Sequence, residues 1–351
     1  MKDYEIICTI GPSCEDSDTL KNLKTAGVDI FRVNMSHATI EELEKFCNLS
    51  KKLGLKLGID TEGAQIRTKN FKNRVLKINK KDRLKVPRDQ EQISDEFLMT
   101  FYPFYVLDNF KVGMKLRLDF NGALAEVVEI SSDYIIMECI CSGYVGNNKG
   151  VDILNNIIEL HDFTEKDLQA LELGRKKGID QVFISFCKSS KAVLHAKSLI
   201  PDARIISKIE SKLSIHNLNE ICKVSDALLI DRGDLTREIN IMDIPFAQRG
   251  IVKTALEKRI PCFVATNVLE SLIDGKLPTR AELNDIVSTL EMGSAGIVLA
   301  AETAIGSKPV LCAEIVNELM HRFELYKTGL LFADIERNEI TDDEMRLWLN
   351  R

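Results

Sequence analysis

Ionisable and hydroxyl residues close one apolar run after another along this chain. The runs end in Thr9-Ile10-Gly11-Pro12, Arg32-Val33-Asn34-Met35-Ser36-His37, Asp60-Thr61-Glu62, Ser185-Phe186, Lys208-Ile209-Glu210, Asp231-Arg232-Gly233-Asp234, Ala265-Thr266-Asn267 and Ala301-Glu302-Thr303. Core packing calls for apolar groups at such positions, so chemistry is the better explanation. Three cations (Arg32, Arg67, Lys208) and three carboxylates (Asp60, Glu210, Asp234) would meet if these ends converge. Together they suit an anionic, phosphate-bearing substrate held through a hard divalent cation. Octahedral Mg2+ or Mn2+ needs only one or two protein carboxylates, because substrate oxygens and water complete the shell.

The elements that must bring these ends together are legible. Strand-like runs at Glu5–Gly11, Asp29–Met35, Lys56–Thr61, Gln181–Phe186, Arg204–Ile209, Ala227–Ile230, Cys262–Thr266 and Ala295–Ala300 alternate with segments of helical period. Eight strand-then-helix units imply a parallel sheet with crossover helices. The pattern changes over 69–152, where short strand-like runs follow one another without a convincing helix. That reads as an all-β insertion after the third strand, a lid. Setting aside its 84 residues and a charged tail of 25 (327–351, including Asp334–Arg337 and Thr341–Arg346) leaves 242 of 351 residues. A (β/α)8 barrel takes about 250. The expected fold is therefore α/β, a TIM barrel formed by 1–68 and 153–326, with the active site at the C-terminal ends of its strands.

Composition excludes several classes. The balance of 47 Lys+Arg against 53 Asp+Glu, a formal charge of −6, has no basic block. Nucleic-acid binding rests on phosphate neutralisation and is not expected. Apolar runs such as Ala295–Ala301 fall far short of the roughly 20 residues of a membrane helix. Nine cysteines lie without CxxC pairs or histidine partners, so neither a zinc site nor a disulfide framework is indicated. The first residues, MKDYEIICTIG, carry no signal-peptide apolar segment. A cytoplasmic location with reduced thiols is expected.

At the segments that carry the chemistry, the sequence resembles the pyruvate kinase family. CTIGPS (8–13), FRVNMSHA (31–38), DTEGAQIRT (60–68), NKGVD (148–152), TEKD (164–167), SF (185–186), KIE (208–210), RGDL (232–235), ATNVLESL (265–272), PTRAE (278–282) and AETA (301–304) occur in that family's order and at compatible spacing. A lone RGD or TIGP would carry little, but eleven dispersed matches over residues 4–325 are specific. The resemblance implies phosphoryl transfer between phosphoenolpyruvate, or a related enol or hydroxy acid phosphate, and ADP/ATP. It implies Glu210 and Asp234 as ligands of Mg2+ or Mn2+, and Lys208 as the lysine that stabilises the transferring phosphoryl group and enolate oxygen. Arg32 would be the phosphate clamp and Arg67 a second one near the lid, planar forks that suit phosphoryl oxygens. Thr266 would lie beside the enolpyruvate methylene, and Lys149 and His37 near the nucleotide. Gly233 and Asp234 would belong to the substrate pocket. Asn34, Ser36, Asp60 and Thr61 reproduce the family's K+ site, although Gln65 is neither the Glu of potassium-dependent members nor the Lys of independent ones.

Departures from the family pattern cluster on the acceptor side. Ala300-Ala301 replaces a Ser-Gly pair, and the lost hydroxyl belongs to the family's relay for protonating enolpyruvate. Asp231 stands where Ala is usual, adding a carboxylate near the place expected for the substrate's own; Arg237 is its natural partner. Thr236-Arg237 replaces Gly-Val, Glu62-Gly63-Ala64-Gln65 replaces Lys-Gly-Pro-Glu, and Asn267-Val268 replaces Gln-Met. Phosphoryl and metal residues are kept while the acceptor pocket differs, which points to phosphoryl transfer with a changed organic substrate. Two rivals remain at the sequence level: a metal-dependent C–C lyase of the pyruvate or phosphoenolpyruvate type, and a non-catalytic sensor of a phosphorylated metabolite. The family's further C-terminal domain, with its sugar-phosphate effector site and one tetramer interface, has no counterpart in these 351 residues. The expectation is a monomer or dimer without those contacts, and no activation by a sugar bisphosphate.

Overall fold

The computed structural model describes residues 4–71, 74–88, 98–119, 122–156, 158 and 160–331. The chain divides into two compact units, Met1–Gly63 with Asp162–Arg351, and Ala64–His161. The charged tail expected over 327–351 falls, from 332 onward, outside the described residues.

In chain order the strands are β1 (Glu5–Ile10), β2 (Ile30–Asn34), β3 (Leu57–Asp60), β4 (Arg67–Asn70), β5 (Leu76–Ile78), β6 (Arg83–Pro87), β7 (Met99–Tyr102), β8 (Lys115–Leu118), β9 (Leu124–Ile130), β10 (Tyr134–Cys141), β11 (Gly143–Val145), β12 (Val151–Ile153), β13 (Gln181–Ile184), β14 (Arg204–Ile209), β15 (Ala227–Asp231), β16 (Cys262–Ala265) and β17 (Gly296–Leu299). In the first unit, β1–β3 and β13–β17 close into a parallel barrel in the order β1-β17-β16-β15-β14-β13-β3-β2. Closure is direct, since β1 pairs with both β17 (Ile7 opposite Val298) and β2 (Ile7 opposite Ile30). These strands show no polar alternation because both of their faces are covered. Ile7, Ile30, Phe183, Ile206, Leu229, Phe263 and Val298 fill the inside. The outward set packs against the crossover helices.

Helix starts follow local chemistry. Thr39 with Glu42, Thr164 with Asp167 and Thr279 with Glu282 form reciprocal capping boxes at Ile40–Leu53, Glu165–Lys177 and Arg280–Glu291. Three features depart from the sequence pattern. The single run of helical period at 215–224 forms two helices, Lys212–His216 and Leu218–Val224, broken at Asn217, whose side chain donates to Lys188 O at 2.8 Å. Short helices Arg232–Glu238 and Ala301–Ala304, additional to the strand-then-helix series, begin directly at the ends of β15 and β17.

Among its described residues the second unit is all-β apart from a 3-10 turn at Phe104–Asn109, which starts after Pro103. It comprises a five-stranded sheet in the order β12-β8-β9-β10-β6 and the pairs β11/β5 and β4/β7. Side chains alternate in burial along β8 and most of β10, as a strand with one packed face requires. Val86, Phe101, Leu116, Ala125 and Met137 belong to a core of its own. Because β4 pairs with β7 and Ile66, Ile158 and Leu160 join that core, the unit takes in five residues before Lys69 and nine after Asp152. No helix among the described residues is long and apolar enough to cross a membrane.

Candidate functional site

Four barrel strands end in one connected set of charges. Arg32, on β2, donates from Nε to Thr9 Oγ1 at 2.8 Å and pairs through Nη1 with Asp60 Oδ2 at 2.8 Å. Asp60 closes β3, and in the β2/β3 register it stands opposite Asn34. Lys208, on β14, lies 3.4 Å from Asp60 Oδ1, 3.3 Å from Glu210 Oε2 and 3.6 Å from Asp231 Oδ2, and donates to Ser185 Oγ at 3.0 Å. Ser185 in turn donates to Asp60 Oδ1 at 3.2 Å. Arg32, Asp60, Lys208 and Glu210 are all buried. An unpaired charge there would be costly, which is why each has at least one opposite charge as a neighbour.

The ends of β15 and β16 are built differently. Thr266 has φ 75° and Asn267 φ 56°, left-handed conformations that are unfavourable for a β-branched residue. Arg232 holds this turn by donating from Nε and Nη2 to Thr266 O at 3.0 and 2.6 Å, while its Nη1 pairs with Asp285 at 2.7 Å. Thr266 Oγ1 donates to Asp231 Oδ1 at 2.6 Å. Gly233 has no room for a side chain, since a Cβ would stand 2.8 Å from Thr266 Cγ2 and 3.5 Å from Asp231 Oδ1.

Two further motifs act as scaffold. Glu302 is buried and accepts from Val268 N, Leu269 N and Ala300 N at 3.0, 3.3 and 2.9 Å, tying the loop after β16 to the end of β17. Thr303 Oγ1 donates to Thr9 O at 3.0 Å, linking that corner to β1. Asp167 accepts from Glu62 N, Gly63 N and Thr164 N at 2.7, 3.1 and 3.0 Å, which fixes the segment after β3.

Glu210, Asp231 and Asp234 each offer a carboxylate oxygen, all within 4.8 Å of one another. Burial pushes Glu210 up to about 8 against the pull of Lys208, with Asp234 and Asp231 adding to the rise. Burial and then Asp231 raise Asp234, outweighing Lys208 and Arg237. Asp231 stays below the usual carboxylate range, because Lys208 and the Thr266 hydroxyl overcome its burial. Burial pulls Lys208 down, yet Asp60, Glu210 and Asp231 together hold it above the ordinary lysine value. Glu210 Oε2 is buried without a hydrogen-bond partner among the described residues, its contact being the Lys208 ammonium. An all-oxygen, carboxylate-rich donor set with such an atom fits a hard divalent cation.

Arg32, Asp60, Lys208, Glu210, Asp231, Gly233, Asp234 and Thr266 thus form one group. Arg237 joins it through Asp234, with Nη1 at 3.4 Å, one turn along the same helix. Asp231, for which the sequence suggested Arg237, takes Lys208 and Thr266. Asn34 Oδ1 accepts from Ser36 N at 2.9 Å, and Thr61 Oγ1 accepts from Ser185 N at 2.9 Å. The Asn34, Ser36, Asp60 and Thr61 oxygens therefore stand at the ends of two adjacent strands. His37 is exposed in the turn after β2. Arg67 and Lys149 belong to the second unit. There Arg67 Nη1 donates to Asn148 O at 3.3 Å, Lys149 N donates to Thr68 Oγ1 at 2.9 Å, and Lys149 Nζ lies 4.0 Å from Asp119. Thr9 and Ser185, the neutral groups that hold Arg32 and Lys208, were assigned no role from sequence. Their signal was present, since both close apolar runs.

Comparison with known proteins agrees with the barrel fold. The family described as "Pyruvate kinase, barrel domain" matches residues 1–313. A pyruvate kinase of Lactobacillus delbrueckii subsp. bulgaricus is 32% identical over 339 residues, covering 92% of this chain and 57% of that protein. One from Bacillus licheniformis is 32% identical over 337 residues, with 92% and 57% covered. One from Chlamydia muridarum is 30% identical over 331 residues, with 91% and 69% covered. The chain thus spans a little over half the length of the first two relatives. With a family match over most of its residues, and relatives at this level of identity, the chain belongs to the pyruvate kinase family.

Proposed function

We propose that the protein is a pyruvate kinase-like phosphotransferase, moving a phosphoryl group between phosphoenolpyruvate, or a related enol or hydroxy acid phosphate, and ADP/ATP. The observation that carries this reading is the pairing of two buried cations, Arg32 and Lys208, with the carboxylates of Asp60, Glu210 and Asp231 at the barrel mouth of a chain from this family. Glu210 and Asp234 would hold Mg2+ or Mn2+. That cation, when bound, offsets negative charge on substrate oxygens. Arg32 is fixed by Thr9 and Asp60 and presents its fork to phosphoryl oxygens without reorganising. Lys208 exchanges part of its carboxylate contacts for the transferring group, a role of positioning and charge rather than covalent chemistry. Thr266 borders the organic part of the substrate, and Gly233 lets the Thr266 methyl pack closely beside it. Asn34, Ser36, Asp60 and Thr61 are the proposed K+ ligands. His37, Lys149 and Arg67 are proposed to contact nucleotide and phosphoryl oxygens.

One observation favours a changed acceptor within the same chemistry. The Asp231 carboxylate, locked to Thr266, puts a negative charge beside that threonine, and Ala300 supplies no hydroxyl for proton delivery. A coupled assay with phosphoenolpyruvate, ADP, Mg2+ and K+ tests both statements. Turnover at rates ordinary for such enzymes supports the phosphotransferase and removes the changed acceptor. Phosphate exchange only with other 2-oxo or hydroxy acids supports both. Absence of nucleotide-dependent transfer to any acceptor overturns the proposal; ligand-induced thermal stabilisation alone would then favour a sensor, and failure to bind ADP or ATP a lyase.

A further inference from the structure

We propose that Asp231 is a third carboxylate ligand of the divalent cation at Glu210 and Asp234, tightening this protein's hold on the ion. The inference rests on the cation-dependent reading above and goes beyond it, because the two-carboxylate site implied by the family leaves Asp231 out.

Three observations carry it. The carboxylate oxygens of Glu210, Asp231 and Asp234 lie within 4.8 Å of one another, close enough for one ion to gather with small side-chain adjustments. The Asp231 carboxylate is pre-set: Thr266 Oγ1 donates to Oδ1 at 2.6 Å, while Oδ2 lies 3.6 Å from Lys208. Finally, Asp231 adds a third carboxylate to Glu210 and Asp234 around the one Lys208 ammonium, and Glu210 Oε2, buried, has no hydrogen-bond partner among the described residues beyond that ammonium at 3.3 Å. A divalent cation offsets the mutual repulsion of carboxylates gathered in this way. Affinity of such oxygen sites rises with the number of charged ligands.

The alternative is that Asp231 only neutralises Lys208 and caps the Thr266 hydroxyl. Titrating Mn2+ alone into the substrate-free full chain separates the two, using calorimetry for affinity and water-proton relaxation for the waters on the ion. The wild-type chain is expected to bind one Mn2+. Asp231→Asn keeps an acceptor for Thr266 and removes the charge; it should weaken binding roughly 10-fold or more and admit about one extra water to the ion. Asp231→Ala should behave likewise, and a melting transition for each variant establishes that it is folded. Glu210→Gln is the reference for the cation reading itself. Wild-type affinity in both Asp231 variants, with binding lost in Glu210→Gln, overturns the inference and leaves that reading standing. Weaker binding without an added water also overturns it, since a distant field would suffice. Binding unchanged in all three variants overturns the inference and the reading together.

Discussion

On one side of the barrel mouth, the ends of β2, β3 and β14 carry Arg32, Asp60, Lys208 and Glu210, buried and joined by ion pairs of 2.8 to 3.4 Å. On the other, the ends of β15, β16 and β17 carry Asp231, Thr266, Asn267 and Ala300, and backbone decides their placement. Thr266 and Asn267 are left-handed, Arg232 grips their carbonyls, and Glu302 collects three amides. The first side is held by charges standing on rigid strands. Removing one member leaves its partner buried with less compensation, so the set is expected to change together or not at all. The second side is held by a few grips on a strained turn, and side chains there can be exchanged while the grips remain. Most departures from the family pattern fall on this second side: Asp231, Thr236, Arg237, Asn267, Val268, Ala300 and Ala301.

The largest expected effect is on the first side. Lys208→Met should lower the proposed phosphoryl-transfer step by roughly 10^3-fold or more, the scale of losing a pre-organised charge stabiliser, while Mn2+ still binds. Single-turnover rates and Mn2+ titration measure the two quantities separately. An unchanged rate would remove Lys208 from the chemistry and reduce this side to a structural knot.

Arg32→Ala comes next and reports on stability. It leaves Asp60 with Lys208 and Ser185 but without its 2.8 Å guanidinium partner. Breaking a buried pair costs about 3–5 kcal/mol. Urea denaturation should show that loss, whereas Lys176→Ala, at the exposed Lys176–Glu172 pair of 2.7 Å, should cost less than about 1 kcal/mol. Similar costs for the two variants would contradict the charge-held picture.

Gly233→Ala probes the second side. Its Cβ would meet Thr266 Cγ2 at 2.8 Å, where the strained turn has little freedom to retreat. Overpacking of this kind costs about 1–3 kcal/mol, and the melting temperature should fall accordingly. A cost near zero would mean that the turn yields, and that Arg232 does not grip it firmly.

The same division explains what could be read from the sequence. Barrel strands were legible because burial on both faces writes them as apolar runs, and Arg32, Lys208, Glu210 and Asp234 stood out as charges ending those runs. The extent of the helix Arg232–Glu238 was not, because Arg-Gly-Asp carries a glycine and charged groups without a helical period. Nor was the left-handed Thr266, since a β-branched residue opposes that conformation and only tertiary contacts from Arg232 enforce it. The Lys208–Asp231 contact depends on β14 and β15 being neighbours in the closed barrel, which spacing along the chain does not state.

The comparison that separates the two sides most finely is at the one hydroxyl that joins turn to charge. Thr266 contributes a methyl that crowds Gly233, a β-branch that resists φ 75°, and an Oγ1 that donates to Asp231 at 2.6 Å. Thr266→Ser removes the first two and keeps the third. Thr266→Ala removes all three, so relief of crowding and of the β-branch is common to both variants and largely cancels between them. The difference in their unfolding free energies isolates the donor to a buried carboxylate, worth about 1.5–3 kcal/mol. Serine should therefore stay near wild type, and alanine should fall below serine by about that amount. If the two variants coincide, Asp231 is held by Lys208 alone, and the β15 end belongs with the charge-held side of the mouth rather than with the turn.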